Sequence, residues 1–85
     1  MVKFRYTIAD PNGMHARPAG LLVREAQKFP CAVTLACGEK RADLKRLFAV
    51  LSLDIKHGET VEVAVEGDGE AEAAGALERF FRQNF

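Results

Sequence analysis

No run of apolar residues in this sequence approaches the roughly 18 needed to cross a bilayer as a helix, so no membrane-spanning segment is expected. The opening Met1-Val2-Lys3-Phe4-Arg5 lacks the charged-then-apolar layout of a secretory leader, and the expected location is the cytoplasm. There are only two cysteines, Cys31 and Cys37, six positions apart in one extended-looking segment. At about 3.3 Å per residue their Cα atoms would lie roughly 20 Å apart, far beyond disulfide reach, so both are expected to be free thiols. The sequence has no Cys-x-x-Cys pair and no Cys/His cluster, and His15 and His57 share no motif. Neither a metal site nor a cofactor follows from such a set. Serine occurs once, at Ser52, and there are no internal repeats, linkers or low-complexity runs. Aromatic and basic residues do not interleave on one surface, which argues against nucleic acid as a partner.

The residues that are present suffice for one small core. Eighty-five residues, 48% of them hydrophobic, predict a single domain over residues 1–85. The formal net charge is zero, but residues 1–58 carry ten Lys/Arg against five Asp/Glu, and residues 59–85 two against seven. A basic face and an acidic end are implied. If Arg17, Arg24, Lys45 and Arg46 converge, their field steers an acidic protein partner toward that face.

Residues 2–8 alternate strictly, with Val2, Phe4, Tyr6 and Ile8 on one side and Lys3, Arg5 and Thr7 on the other, predicting a strand with one wet face. Asp10-Pro11-Asn12-Gly13 interrupts the pattern as a loop. Ala19, Leu22, Val23 and Ala26 then recur at i, i+3, i+4 and i+7, which predicts a helix from near Ala16 to about Lys28, ended by Phe29-Pro30. Residues 31–37 read as a second strand with Val33, Leu35 and Cys37 inward. Gly38-Glu39 turns the chain into a short third strand through Ala42. Asp43 is placed to cap a second helix over about residues 44–53. Lys56-His57-Gly58-Glu59 reads as a turn, and His57 there as a solvated residue without a role. Residues 60–66 alternate again with Val61, Val63 and Val65 inward. Gly67-Asp68-Gly69 leads into a last helix with Ala73, Ala74, Leu77, Phe80 and Phe81 on its apolar face.

The order β-α-β-β-α-β-α, with every strand amphipathic, predicts an α+β open-faced sandwich: a four-stranded antiparallel sheet with three helices on one face and water on the other. A ferredoxin-like arrangement shares much of this order but fits the short second helix and the extra third one less well. The second helix carries two apolar stripes, Leu44, Leu47, Phe48 and Leu51 on one and Val50 and Leu53 on the other, more than so short a helix can bury in one core. An exposed Leu47/Phe48/Leu51 patch is therefore expected, of the kind that docks another protein.

The chemistry concentrates at Gly13-Met14-His15-Ala16-Arg17-Pro18-Ala19. Asn12-Gly13 is a turn, and proline is tolerated in a first helical turn, so His15 falls at or beside the N-cap. First-turn N–H groups are unpaired, and a helix start carries partial positive charge that favours anions. Arg17 adds a planar guanidinium suited to phosphate oxygens, and imidazole is itself a nucleophile. A phosphoryl group on a His15 ring nitrogen would lie against the amides at Ala16 and Arg17, each charge-assisted hydrogen bond contributing on the order of 1.5 to 3 kcal/mol. The pattern reads as a phosphohistidine site. The plainer alternative is a surface histidine beside a solvated arginine.

The string Gly-Met-His-Ala-Arg-Pro-Ala resembles the active-site motif of the HPr family, the histidine-containing phosphocarriers of the phosphoenolpyruvate-dependent sugar phosphotransferase system. The resemblance covers nearly the whole chain, through the position of His15, the 44–53 segment, the valine-rich strand and the final helix. It implies that His15 accepts a phosphoryl group on Nδ1 from phosphorylated Enzyme I and passes it to sugar-specific IIA domains. It further implies a monomeric carrier rather than an autonomous enzyme, with Arg17 as phosphate partner and Leu47 and Phe48 as docking residues. One position departs from the pattern: many Gram-positive members have a regulatory serine where this chain has Arg46, so control by phosphorylation at that point is expected to be missing. Two alternatives remain open at this level, an HPr-fold regulatory or nitrogen-linked relay paralogue acting through protein binding, and an unrelated anion-binding domain.

Overall fold

Seven elements follow one another in the predicted order in the computed structural model, which describes residues 1–85. Strand β1 spans Val2–Thr7, helix α1 Ala16–Gln27, strand β2 Ala32–Cys37 and strand β3 Lys40–Asp43. Helix α2 spans Leu47–Leu51, strand β4 Thr60–Glu66 and helix α3 Glu70–Asn84. The strands pair antiparallel in the order β1-β4-β2-β3, and the helices cover one face, the expected open-faced sandwich.

Side chains alternate across a strand, so the cross-strand register decides which residues share a face. Phe4, Val63, Leu35 and Ala42 line up across all four strands on the helix side. Arg5, Glu62, Ala36 and Arg41 form the corresponding row on the open face, where Arg5 Nε donates to Glu62 Oε2 at 3.4 Å. Because β1 is an edge strand, Val2, Phe4 and Tyr6 are only half-buried, whereas Val61, Val63 and Val65 of the central β4 are fully buried. Ile8 lies one residue past the end of β1 and is buried.

Helix α1 buries the stripe its spacing predicts, Ala19, Leu22, Val23 and Ala26, and packs against both α2 and α3. Helix α3 buries Ala73, Ala74, Leu77 and Phe81, and the Phe81 ring lies 5.9 Å from Phe4 and 5.5 Å from Tyr6, covering the edge strand with aromatic contacts. Phe80, expected on the same face, is half-buried at the flank, 6.5 Å from the Phe85 ring. All 22 residues of the core cluster are hydrophobic and no polar side chain is buried, which confines polar chemistry to the surface. No helix is long and apolar enough to cross a membrane.

Four local expectations change. Helix α2 has five residues rather than a span of about 44–53, because Leu44 donates its N–H to the Val33 carbonyl at 2.9 Å and buries its side chain completely. Leu44 therefore belongs to the core and not to the exposed stripe. Asp43 Oδ1 accepts from the Lys45 N–H at 2.9 Å and closes a local turn, while the N-cap of α2 is Arg46, without a side-chain cap. Cys37, expected inward, is half-buried with its Sγ 3.7 Å from Glu59 Oε2. Both cysteines are free.

Candidate functional site

The loop before α1 is held from two sides. Gly13 has φ +65°, and a Cβ there would meet the Ile55 carbonyl oxygen at 2.5 Å and the Lys56 Cα at 2.9 Å, so only glycine lets the two loops approach this closely. The next amide, Met14 N–H, donates to that same Ile55 oxygen at 2.9 Å, and the Met14 side chain is buried. On the other side, the amides of Ala9 and Asp10 donate to the Phe85 main-chain oxygen at the end of α3.

This frame delivers His15 to the N-cap of α1 in extended conformation, φ −97° and ψ 167°. Its carbonyl accepts the first helical bond, from Ala19 N–H at 3.0 Å, but its side chain makes no cap. The amides of Ala16 and Arg17 have no main-chain acceptor, and Pro18 has no N–H to leave unpaired. The end is thus an open donor site with partial positive charge beside an imidazole. Arg17 is exposed and takes part in none of the six ion pairs of the protein, which leaves its guanidinium available.

The ring is oriented by a residue that sequence patterns pass over. Asp10 Oδ2 stands 3.1 Å from His15 Nε2, and Asp10 Oδ1 accepts from the Asn12 N–H at 2.8 Å. The Asn12 amide first, and the His15 ring second, hold the Asp10 carboxyl below its usual range. With Nε2 facing a carboxylate, Nδ1 is the ring nitrogen left without a hydrogen-bond partner. Asn12, Lys56 and His57 line the same shallow depression as His15, and the charge of His57 also acts on Asp10.

A family model for the PTS HPr component phosphorylation site matches residues 2–83. The chain belongs to the HPr family. The phosphocarrier protein HPr of Lysinibacillus sphaericus is 41% identical over 73 residues, 86% of this chain and 83% of that protein. That of Mycoplasma capricolum is 35% identical over 79 residues, 93% of this chain and 89% of its own length. The crystal structure of HPr-C-His from Thermoanaerobacter tengcongensis has a TM-score of 0.94 at 33% identity, covering 100% of this chain and 96% of that one. HPr membership makes the chain a phosphocarrier of the phosphotransferase system.

Beside His15, a groove of about 550 Å³ runs between α1 and α2, lined by Arg17, Gly20, Leu21, Val23, Arg24, Gln27 and Leu47. Arg17 thereby links the imidazole loop to the groove, and Arg24 lies about two turns further along the same helix. Phe48 is 85% exposed, whereas Leu47 and Leu51 are half-buried, so the apolar surface of α2 is one projecting ring flanked by two partly sunk leucines. Lys45 is half-buried, and its Nζ donates to the Phe29 carbonyl at 2.6 Å, while Arg46 is exposed. Of the basic trio, Lys45 is the one pinned to the end of α1. The expected groups do not converge on a single point: His15 and Arg17 share the helix start, and Arg24, Leu47 and Arg17 share the groove.

Leu21, 48% accessible, is a second exposed apolar residue beside Phe48 and belongs to this surface. A signal for it existed, since Leu21 falls outside the buried 19-22-23-26 stripe. Asp10 and His57 carried no such signal; only loop closure brings them to His15.

Proposed function

We propose that His15 is the phosphoryl acceptor, taking the group on Nδ1 from phosphorylated Enzyme I, with phosphoenolpyruvate as the source, and passing it to sugar-specific IIA domains. The observation that carries this reading is an imidazole at an uncapped helix start whose Nε2 is engaged by a carboxylate and whose Nδ1 is free. The amides of Ala16 and Arg17 and the Arg17 guanidinium hold the phosphoryl oxygens. Leu47, Phe48 and Leu51 supply the apolar docking contact, and Arg24, Lys45 and Arg46 surround it with positive charge. The chain acts as a relay, so its phosphoryl group is both taken up and given away within protein complexes.

Incubation with Enzyme I and phosphoenolpyruvate, followed by intact-mass measurement, tests the assignment. One phosphoryl group is expected on the wild type and none on His15→Ala, with the melting temperature nearly unchanged because a partly exposed helix-start residue contributes little packing. Equal uptake by His15→Ala overturns it.

A further inference from the structure

We propose that Asp10 is a positioning residue for phosphoryl transfer, its carboxylate holding the Nε2–H of His15 so that the Nδ1 lone pair stays free to attack. The inference rests on the reading of His15 as the acceptor.

The geometry is specific to the two oxygens. Oδ1 is occupied by the Asn12 amide at 2.8 Å, and Oδ2 faces Nε2 at 3.1 Å. A carboxylate can only accept, so the nitrogen facing it carries the proton, and the neutral ring has its lone pair on Nδ1. The backbone that carries the carboxylate is held as well, since the Asp10 amide donates to Phe85 and the Asp10 carbonyl accepts from Gly13 N–H at 2.9 Å. Ring orientation therefore passes from the β1–α1 loop to the reacting nitrogen through one hydrogen bond.

The same bond serves the transfer step. Nδ1 donates its electron pair to phosphorus as the bond from phosphorus to the Enzyme I donor atom breaks, its electron pair leaving with that atom. The proton on Nε2 stays where it is. The ring becomes cationic as the N–P bond forms, and the Asp10 carboxylate faces that developing charge. In the unloading direction the same steps run in reverse, so no proton has to leave the ring in either direction.

An amide at position 10 inverts this arrangement without disturbing the loop. In Asp10→Asn the side-chain oxygen remains the acceptor of the Asn12 N–H, which directs the NH₂ group at Nε2. Nε2 must then accept, the ring proton moves to Nδ1, and the attacking lone pair is lost. Asp10→Asn is thus expected to be more damaging than Asp10→Ala, where water replaces the carboxylate. A role confined to the turn predicts the opposite ranking, because asparagine preserves the turn and alanine does not.

The test combines ¹⁵N NMR of the histidine ring at alkaline pH with the rate of loading from phosphorylated Enzyme I. Expected are an Nε2–H tautomer in the wild type, a shift toward Nδ1–H in Asp10→Asn, and loading slowed about tenfold in Asp10→Asn, less in Asp10→Ala. The His15 side chain is 40% accessible, so water competes and the loss stays well below that of a fully buried pair. An unchanged tautomer and unchanged loading in Asp10→Asn overturn the proposal. A tautomer switch in a chain whose wild type Enzyme I does not load supports the anchoring of the ring and overturns the phosphocarrier reading of His15 instead.

Discussion

Replacing Gly13 with alanine tests how closely the imidazole loop must approach the 55–57 segment, and Gly38 supplies the control. Both glycines have nearly the same left-handed backbone, φ +65° and +61°, so the strain of placing an L-residue there is common to both, about 1 to 2 kcal/mol. Both substitutions also stiffen the unfolded chain, which offsets about 0.4 to 1 kcal/mol of that strain. The surroundings differ. At Gly38 a Cβ meets nothing within 4 Å, while at Gly13 it meets main-chain atoms at 2.5 and 2.9 Å that no rotamer change can clear. The loops must separate, and the Met14 N–H to Ile55 bond goes with them, adding about 1 kcal/mol for the bond and at least as much for the lost packing of Met14. Gly38→Ala is thus expected to lower stability by about 1 kcal/mol or less and Gly13→Ala by about 3 kcal/mol. For a domain of this size each kcal/mol moves the melting temperature by roughly 4 to 8 °C, so the two variants separate clearly in a thermal melt or a urea titration. If their unfolding free energies agree within about 0.5 kcal/mol, the close approach at Gly13 is not what holds the loop.

Four further outcomes follow from the site. Arg17→Ala is expected to slow phosphoryl loading and unloading with little change in melting temperature, since the exposed guanidinium makes no ion pair; wild-type rates in stopped transfer assays in both directions would make it a plain surface cation. Phe48→Ala, at a ring 85% exposed, leaves stability unchanged but raises the dissociation rate from Enzyme I about five- to thirtyfold if it removes about 1 to 2 kcal/mol of contact. Arg46→Glu instead lowers the association rate, and added salt masks only this second defect because about 0.15 M salt limits exposed-charge interactions to about 8 Å; surface-binding kinetics at two salt concentrations separate them. The Asp10 carboxyl lies below its ordinary range through the Asn12 amide and then the His15 ring, so its stabilising effect is present above its unfolded value near about pH 3.9 and fades as pH falls through the lower folded value. Acid unfolding of Asp10→Ala is expected to lack that limb, and identical acid profiles would refute it.

The parts of this protein that one element encodes by itself were legible in the sequence. Val61, Val63 and Val65 alternate because a strand repeats every two residues, and Ala19, Leu22, Val23 and Ala26 recur because a helix repeats every 3.6; both periods survive in the structure unaltered. The place of His15 at a helix start was readable for the same reason, since Asn12-Gly13 and Pro18 act on the backbone locally. What required the tertiary structure is whatever depends on a partner far along the chain. Leu44 leaves the second helix because the Val33 carbonyl, eleven residues back, claims its amide, and with Leu47 and Leu51 half-buried only Phe48 stands fully exposed where a Leu47/Phe48/Leu51 patch was expected. Phe4 and Tyr6 are half-buried because β1 is an edge of the sheet, a fact of strand order that their own alternation does not contain. Asp10 reads as a turn residue until Phe85 and Ile55, from the far end of the chain and from the loop before β4, close the 9–14 segment and turn its carboxylate to His15. Periodicity is a property of neighbouring residues, whereas a hydrogen bond across two loops exists only after the core has brought them together, and the orientation of the His15 ring belongs to the second kind.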